Sequence, residues 1–479
     1  MKNLKMYING KFVESRSGKW INVLNPSTEE VISRQPEGTI EDVDEALDAA
    51  KAVQKSWAKT PAIERAAYLK KMADGIRKRQ DEFVDIIMRE QGKTRSWATV
   101  EVGVTAEYFD YMAGWARRIE GEIIQSDRRG ETIMLFKEPI GVVAGILPWN
   151  FPFFLIARKA GAALITGCTI VLKPSQLTPE NCTEFAKVVD ESGLPAGVFN
   201  VVTGKGSVVG NALAASPKIG IVSVTGSVSA GQSIMKAAAD NITKVSLELG
   251  GKAPAIVFPD ADLETAAQWI VDSRIGNNGQ ICNNAERVYV HKDIKKEFTD
   301  ILLKKMQAVK VGDPCVDESV DMGPLVEKRA LDSVTEKVER AIKQGAKLLC
   351  GGHRVGEKGY FYAATILDDC KQDFDIIHEE TFGPVLPLVE FDDIDQVIAW
   401  ANDIEYGLAS SVFTKDIDTA TKVCRELEFG ETYINREHFE PWQGFHAGMK
   451  KSGIGGADGK HGMEEYLVTH VVYLDSHYE

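Results

Sequence analysis

The sequence predicts an α/β protein with two parallel sheets, because strand-like and helical segments alternate in two separate sets. Five short β-branched runs form the first set, at 140–147, 169–174, 198–204, 220–226 and 244–251. Five apolar runs form the second, at 254–258, 286–292, 384–391, 410–413 and 431–435. This alternation is typical of βαβ units, in which helices connect neighbouring parallel strands.

Three helical segments precede the first set. Residues 41–57, 62–92 and 98–118 each carry apolar residues at intervals of three to four, and Gly92 is a stop signal for the second segment. Residues 121–138 and 465–476 are strand-like but belong to neither set. Strands separated in this way often pair with another subunit, since an uncovered edge promotes aggregation.

Composition and charge exclude several classes of protein. The 479 residues are 44% hydrophobic and carry a net charge of −14, without a long basic run, so nucleic acid and anionic lipid are not expected partners. The apolar stretch 141–172 is interrupted by prolines and by Arg158 and Lys159, which argues against a membrane span. No secretory signal is visible, which predicts a cytoplasmic protein. Seven cysteines without a C-x-x-C pair indicate reduced thiols and no metal site.

Three strand ends carry residues that suit a nucleotide. The segment GKGSVVG (204–210) is one residue longer than the dinucleotide fingerprint, so a plain turn stays an alternative there. Thr225-Gly226-Ser227 ends the next strand, and Lys173 ends another. Ligands of open α/β sheets bind beyond the carboxyl ends of the strands, and the three ends together favour a nucleotide.

Cys282 lies between Gly and Asn residues in a segment that predicts a loop. A small buried core residue is the usual fate of a free cysteine, and that interpretation stays open for Cys282. A working thiol would need a base and a donor for a developing oxyanion. Glu248, at a glycine-terminated strand, and Asn150, between two prolines, are the candidates for those two roles.

Six motifs in register identify the family that the chain resembles. LPWNFP (147–152), KPS (173–175), VTGSVSAG (224–231), LELGGK (247–252), GQIC (279–282) and EETFGP (379–384) occur in the order of the aldehyde dehydrogenase superfamily. The resemblance runs from about residue 7 to the tail and implies three parts. These are a Rossmann-like cofactor domain (1–118 and 140–249), an α/β catalytic domain (250–450) and a small β oligomerisation arm (119–139 and 460–479) that would form a homodimer or homotetramer.

The same resemblance assigns roles by position. Cys282 matches the nucleophile, Glu248 the general base, and Asn150 the side-chain half of the oxyanion hole. The implied reaction is NAD(P)-dependent, non-acylating oxidation of an aldehyde to the acid through a cysteine thioester that water hydrolyses. The resemblance also implies the residues that would contact the cofactor, NAD or NADP: Trp149, Lys173, Ser175, Gln176, Gly206, Gly210, Ser227, Glu380 and Phe382.

Two positions depart from the family pattern. Gln176 is neutral where many members carry a glutamate that repels the 2′-phosphate of NADP, so this chain lacks that reason for a strict preference for NAD. Ala457, beside Asp458, replaces a glutamate common near the C-terminus. The chain therefore lacks the carboxylate through which a proton relay would run at this position.

Three polar residues, Arg158, Glu440 and His446, stand where relatives that act on simple aldehydes carry aromatic side chains. We expect them to bind a small hydroxyaldehyde, because YINREHFE (433–440) and GFHAG (444–448) are similar to bacterial lactaldehyde and glycolaldehyde dehydrogenases. A buried Arg–Glu pair with a purely structural role is one alternative. Another is a succinate semialdehyde dehydrogenase, in which Arg158 would bind the distal carboxylate, although Glu440 would repel it. A thiol esterase without redox chemistry and an inactive scaffold are alternatives from other classes.

Overall fold

The computed structural model describes residues 1–476, and the chain begins with short strands followed by four helices. The strands are β1 (Lys2–Asn3), β2 (Met6–Ile8), β3 (Lys11–Val13), β4 (Trp20–Leu24) and β5 (Val31–Pro36). The helices are α1 (Ile40–Lys59), α2 (Ala62–Lys78), α3 (Gln80–Gln91) and α4 (Arg95–Ala113). Gly92 ends α3 at a φ of 82°, as the sequence predicts.

The segment 62–92 is two helices, not the single helix that its periodicity predicts. The break lies at Arg79, whose φ of −113° is not helical. The Arg79 guanidinium binds Glu82 on the next turn and Glu184 on a distant helix, at 2.8 and 3.0 Å. Because the apolar spacing continues across Arg79, the sequence pattern contains no sign of this break.

The middle of the chain forms the first parallel sheet. Its elements are β6 (Glu122–Gln125), β7 (Glu131–Pro139), β8 (Val142–Ile146), α5 (Phe154–Thr166), β9 (Thr169–Lys173), α6 (Glu180–Ser192), β10 (Phe199–Val201), α7 (Asn211–Ala214), β11 (Ile219–Thr225), α8 (Val228–Ala238) and β12 (Lys244–Glu248). The five predicted strands lie in the order β12-β11-β8-β9-β10, all parallel. The order reverses between β8 and β11, and ligands of open sheets bind at such a switch point.

The second sheet follows in the chain. Its part of the sequence contains β13 (Pro254–Val257), α9 (Leu263–Ile275), β14 (Arg287–His291), α10 (Lys295–Gln307), α11 (Lys328–Gln344), β15 (Lys347–Cys350), β16 (Thr365–Asp368), α12 (Asp375–His378), β17 (Val385–Phe391), α13 (Ile394–Asn402), β18 (Tyr406–Gly407), β19 (Ala409–Phe413), α14 (Ile417–Glu426) and β20 (Glu431–Ile434). The sheet order is β15-β16-β17-β14-β13-β19-β20. The sequence pattern predicts the other five strands but misses β15 and β16, the strands at one edge.

The C-terminal segment returns to the first part of the molecule. It contains β21 (Met449–Lys450), β22 (Gly453–Ile454), α15 (Gly459–Glu464) and β23 (Leu467–Asp475). Strand β22 pairs with β12, and β23 pairs antiparallel with β7 along its whole length, with β6 on the other side of β7. The two strand-like segments outside the parallel sets therefore pair with each other within one chain. Residues 477–479 of the predicted arm lie outside the described residues.

Apolar side chains cover both faces of both parallel sheets. Helices α2–α6 and helices α1, α7 and α8 pack on opposite faces of the first sheet, through separate clusters of buried residues. The second sheet is covered in the same way. Among residues 1–476, no helix is long and apolar enough to span a membrane, and no cluster of side chains could hold a metal ion.

Candidate active site

A cavity of about 820 Å³ lies where the two parallel sheets meet, at the carboxyl ends of β8 and β11. Fourteen of the fifteen residues predicted for the site line it: Trp149, Asn150, Arg158, Lys173, Ser175, Gln176, Gly206, Ser227, Glu248, Cys282, Glu380, Phe382, Glu440 and His446. Gly210 is the exception. It is buried, and a Cβ at this position would be in contact with Ile146.

Cys282 lies on a loop, as its sequence context predicts, and a buried cation holds that loop in place. The Arg274 guanidinium at the end of α9 donates to the carbonyls of Gly279 and Ala285, on either side of the thiol. Burial raises the pKa of the Cys282 thiol, and the neighbouring His446 opposes that effect. Cys282 is thus a thiol at a cavity wall with a potential cation beside it.

Asn150 is held at three points near the same loop. Its side-chain Nδ2 donates to the backbone carbonyl of Gln280 at 2.9 Å. The backbone carbonyl of Asn150 accepts from the Lys93 ammonium at 2.8 Å and from Asn277 Nδ2 at 3.0 Å. An amide nitrogen has two N–H groups. The second N–H of Asn150 can therefore donate to a ligand while the first fixes the side chain.

Glu248 ends β12 and is almost fully buried, at 4% exposure. The Thr225 hydroxyl donates to its Oε2 at 3.2 Å, and the Arg158 guanidinium lies 3.8 Å away. The carboxylate therefore keeps accepting capacity toward the cavity.

Arg158 is surrounded by carboxylates, and one of them was not among the predicted site residues. Asp458 binds the guanidinium in a bidentate manner at 3.1 and 2.6 Å, and Glu440 binds it at 3.0 Å. Asp458 has a φ of 70° and a ψ of 164°, a conformation nearly restricted to glycine, which costs about 1–3 kcal/mol. Burial raises the pKa of Asp458 to about 6 although Arg158 lowers it.

The group formed by Arg158, Glu440, Asp458, Glu431 and His446 is called the open cluster below. Asn283, the residue after the thiol, donates to Glu440 Oε2 at 2.7 Å. The sequence analysis missed Glu431 and Asn283 and named Asp458 only as the neighbour of Ala457, because the partners of these residues lie far away in the chain. The glycine-rich segment around Asp458 was the one available signal, since it indicates unusual backbone geometry.

A second group of charges, Lys252, Arg274 and Glu286, is called the closed cluster. Glu286 accepts from Lys252 Nζ at 2.7 Å and from the Arg274 guanidinium at 2.9 Å. It also accepts the backbone N–H groups of Thr381 and Phe382, both at 3.0 Å. Burial alone would raise the pKa of Glu286, but the two cations lower it to about 2. The closed cluster thus fixes the loop that presents Glu380 and Phe382.

The residues at the other end of the cavity fit a dinucleotide. Lys173 is buried, its Nζ donates to the carbonyl of Pro174, and burial lowers its pKa to about 8, so its remaining donors suit a ligand hydroxyl. Ser227 caps α8, whose first N–H groups face the cavity and attract phosphate. A Cβ on Gly206 would meet only open space, which leaves room for a ligand beside the backbone. Gln176 is exposed at the rim.

The end of the cavity that contains Arg158 and Glu440 is less polar than we expect from the sequence. Phe154, Phe439 and Trp442 line the cavity together with Arg158 and Glu440, and the Arg158 guanidinium lies 4.8 Å from the centre of the Phe154 ring. The polar residues thus add to an aromatic wall instead of replacing it. His438 also lines this end, and both of its ring nitrogens are buried without a hydrogen-bond partner among residues 1–476.

Comparison with known proteins gives concordant results. The model of the aldehyde dehydrogenase family matches residues 12–472. Lactaldehyde dehydrogenase of Escherichia coli (strain K12) is 59% identical over 471 residues, which cover 98% of each protein. A crystal structure of lactaldehyde dehydrogenase from Escherichia coli superposes with a TM-score of 0.98 at 58% identity, covering 99% of this chain and 100% of that one.

A second relative was solved with a cofactor. The structure of 3,6-anhydro-L-galactose dehydrogenase in complex with NADP has a TM-score of 0.97 at 43% identity, and the match covers 98% of this chain and 100% of that chain. These likenesses extend over nearly the whole sequence and agree with the six motifs and the cavity. The chain belongs to the aldehyde dehydrogenase family and is an NAD(P)-dependent oxidoreductase.

Proposed function

We propose that the protein oxidises a small hydroxyaldehyde, such as lactaldehyde or glycolaldehyde, to its carboxylic acid through a thioester on Cys282. The observation that carries this proposal is that three members of the open cluster, Arg158, Glu440 and His446, line the same cavity as the thiol. The likeness of the whole chain to lactaldehyde dehydrogenase supports the same class of substrate.

The first step is addition of the Cys282 thiolate to the aldehyde carbon, which turns the carbonyl oxygen into an oxyanion. The donors for this oxyanion are Asn150 Nδ2 and the backbone N–H of Cys282. Asn150 is already fixed by Gln280, Lys93 and Asn277, so little reorganisation is needed when charge develops.

Trp149, Lys173, Ser227, Glu380 and Phe382 would hold NAD(P). The chemistry that the nicotinamide supplies when bound is acceptance of a hydride from the aldehyde carbon, which leaves an acyl thioester on Cys282. Glu380 is fixed by the N–H of Gly251 at 2.9 Å, and Trp149 and Phe382 meet edge to face at 5.5 Å. These contacts define the walls against which a ring is oriented.

Glu248 serves as the base for the second half of the reaction. It takes a proton from water, the oxygen bonds to the acyl carbon, and the carbon–sulfur bond breaks to release Cys282 and the acid. Thr225 orients the carboxylate, and the Arg158 guanidinium lies close enough to attract it.

The open cluster favours a hydroxyl over a second carboxylate. The two carboxylates of Asp458 and Glu440 already bind Arg158, so a succinate semialdehyde would bring a third anion to one guanidinium. A hydroxyl can accept from Arg158 and donate to Glu440 at once. Succinate semialdehyde therefore stays the second candidate substrate, disfavoured by charge.

Cofactor choice follows from Gln176, which is exposed at the cavity rim. Without a carboxylate at this position, the 2′-phosphate of NADP meets no repulsion, and we expect activity with both cofactors. Gln176→Glu should shift the ratio of kcat/KM for NAD over NADP toward NAD by about 1 kcal/mol, roughly a fivefold change or more. An unchanged ratio in the variant would show that other residues set the preference.

We also propose that the chain divides into a cofactor domain, a catalytic domain and an oligomerisation arm, and that the arm joins subunits. Strand β6 is exposed along its whole length, and Ile123, Phe136 and Leu474 expose apolar side chains on one face of the sheet of β6, β7 and β23. An apolar face with a free edge suits pairing with another subunit. We expect a homodimer or homotetramer joined through this arm.

The experiment that tests the proposed function is an aldehyde panel with both cofactors, followed by NAD(P)H absorbance. Lactaldehyde and glycolaldehyde should give the highest kcat/KM, with propanal and succinate semialdehyde below them, and Cys282→Ser should abolish turnover without changing cofactor affinity more than a few-fold. A preference for succinate semialdehyde would move Arg158 to the role of carboxylate clamp. Turnover by Cys282→Ser would contradict a thioester on Cys282.

A further inference from the structure

We infer that Lys93 and Glu101, called the buried pair below, are positioning residues for the oxyanion hole. Together they set the place of Asn150, whose side chain would donate to the oxyanion. This inference rests on the proposed role of Asn150. The buried pair has no part in the bond changes of the proposed reaction, and its effect on the rate runs through Asn150.

The segment that carries Asn150 depends on other elements for its position. Residues 147–153 link the end of β8 to the start of α5 as irregular backbone, and Pro148 and Pro152 have no N–H to donate. Asn150 and Phe153 are buried. Buried backbone N–H and C=O groups need hydrogen-bond partners, so the partners of this segment come from elsewhere in the fold.

Lys93 supplies the partner of the Asn150 backbone carbonyl. Its Nζ donates to that oxygen at 2.8 Å and to Glu101 Oε2 at 2.6 Å, and it lies 3.8 Å from the centre of the Phe151 ring. An ammonium has three N–H groups, and these three contacts use all of them. Lys93 therefore holds Asn150 and the next residue in the chain.

Glu101, on α4, caps α5 from a separate helix. Its Oε1 accepts the backbone N–H groups of Phe153 and Phe154 at 2.9 and 3.1 Å. The residue before α5 is Phe153, whose side chain has no atom that could accept a hydrogen bond from the helix. A carboxylate at a helix N-terminus is stabilising. The buried pair thus binds the segment from Asn150 to the first residue of α5.

Burial of the pair favours a positioning role. Both side chains are 0% exposed. Desolvation offsets much of the attraction within a buried ion pair, so such a pair adds little to stability compared with apolar residues of similar size. The hydrogen bonds of Lys93 and Glu101 converge instead on the backbone of residues 150–154.

The thiol loop holds Asn150 from the other side. Asn277 Nδ2 donates to the same carbonyl as Lys93, at 3.0 Å, and Asn150 Nδ2 donates to the carbonyl of Gln280 at 2.9 Å. Loss of Lys93 would leave these two contacts in place. We therefore expect a displaced Asn150 and a partial loss of activity.

A double-mutant cycle tests the inference. The variants are Lys93→Met, Asn150→Ala and the two together, and kcat/KM is measured for lactaldehyde and for propanal at saturating NAD by NADH absorbance. The matched control is Lys71→Met on α2. Lys71 also donates to a backbone carbonyl, that of Ser192 at 3.1 Å, and lies 5.3 Å from the centre of the Tyr68 ring.

We expect Asn150→Ala to lower kcat/KM by about 10²–10³-fold, the scale of one lost oxyanion donor. Lys93→Met should lower it by about 10- to 100-fold, because a small displacement of a catalytic group is costly. The loss should be equal for the two aldehydes, since both form the same oxyanion. In the Asn150→Ala background, Lys93→Met should cost less than about threefold, because the group through which Lys93 acts is already gone.

The control and a second variant guard against misfolding. Lys71→Met should keep the kcat/KM of the unmutated enzyme, and cofactor affinity should change in none of the variants by more than a few-fold. If Lys93→Met does not fold, as judged by thermal unfolding, Glu101→Gln decides, because it keeps an acceptor for α5 but loses the ion pair. It should lower kcat/KM by a smaller factor, and again only where Asn150 is present.

A kcat/KM in Lys93→Met within about threefold of the unmutated enzyme would overturn the inference. A loss of full size in the Asn150→Ala background would also overturn it, since Lys93 would then act on folding or on another group. So would a loss confined to lactaldehyde, which would assign the pair to recognition of the hydroxyl. A normal kcat/KM in Asn150→Ala is a separate result, because it would remove Asn150 from the oxyanion hole and contradict the proposed mechanism itself.

Discussion

The closed cluster supports the backbone of the Cys282 loop, whereas Arg158, Glu440 and His446 of the open cluster line the cavity together with the thiol, and both clusters bury several charges. In the closed cluster, two cations and two backbone N–H groups converge on the one carboxylate of Glu286. In the open cluster, three carboxylates surround Arg158 and His446, and Glu440 keeps 21% of its side chain exposed to the cavity. Buried charge that is fully paired fixes a scaffold, whereas buried charge with acceptors left over can bind a ligand.

Glu248, at the border of the open cluster, should give the largest effect. We expect Glu248→Gln to lower steady-state turnover by about 10²–10⁴-fold, because an amide cannot take a proton from water. A burst of NAD(P)H equal to the enzyme concentration should remain, since thioester formation does not need this base. Rapid-mixing absorbance measures the burst, and Cys282→Ser is the control that should show none. A normal steady-state rate would remove Glu248 from the role of base.

Glu286→Gln breaks the closed cluster. We expect a loss of about 3–5 kcal/mol in the free energy of unfolding, because Lys252 and Arg274 lose a buried partner. Urea denaturation measures this loss, with the exposed Glu318→Gln as control. The Thr381–Phe382 loop loses its anchor in the same variant, so KM for the cofactor should rise. A loss below 1 kcal/mol would mean that the closed cluster is not a scaffold.

The two clusters should respond to pH with opposite signs. Asp458 has a pKa of about 6 when folded against an ordinary 3.8, so the folded state holds that proton more tightly and gains stability as the pH falls from 6 to 4. Glu286, at about 2, contributes stability that is present above its ordinary value of 4.5 and lost as the pH falls toward 2.

Asp458→Asn isolates the first of these effects. Between pH 6 and pH 4, the free energy of unfolding of the unmutated protein should gain up to about 3 kcal/mol from protonation of Asp458, and the variant should not show this gain. Urea denaturation at several pH values measures both slopes, and Asp300→Asn, an exposed carboxylate paired with Lys296, is the control. Equal slopes in the unmutated protein and Asp458→Asn would show that Asp458 does not hold a proton near pH 6.

Local patterns in the sequence predict what depends on local spacing. Ten strands of the two parallel sheets, the loop of Cys282 and the stop at Gly92 follow from periodicity and turn residues, and the resemblance to the family identifies fourteen of the residues that line the cavity. The break at Arg79 and the edge strands β15 and β16 depend on distant partners. Asp458 is 300 positions from Arg158. No window of sequence contains both members of such a pair.

The distinction between the clusters is tested most directly by one ratio, kcat/KM for lactaldehyde over kcat/KM for propanal, in the unmutated enzyme, Glu440→Gln and Glu286→Gln. Propanal lacks the hydroxyl, so any general damage to folding, cofactor binding or thiol reactivity affects both substrates alike. We expect the ratio to fall in Glu440→Gln by about 1–3 kcal/mol, roughly 5- to 150-fold, and to stay unchanged in Glu286→Gln. An unchanged ratio in Glu440→Gln, or an equal fall in both variants, would contradict recognition of the hydroxyl by the open cluster.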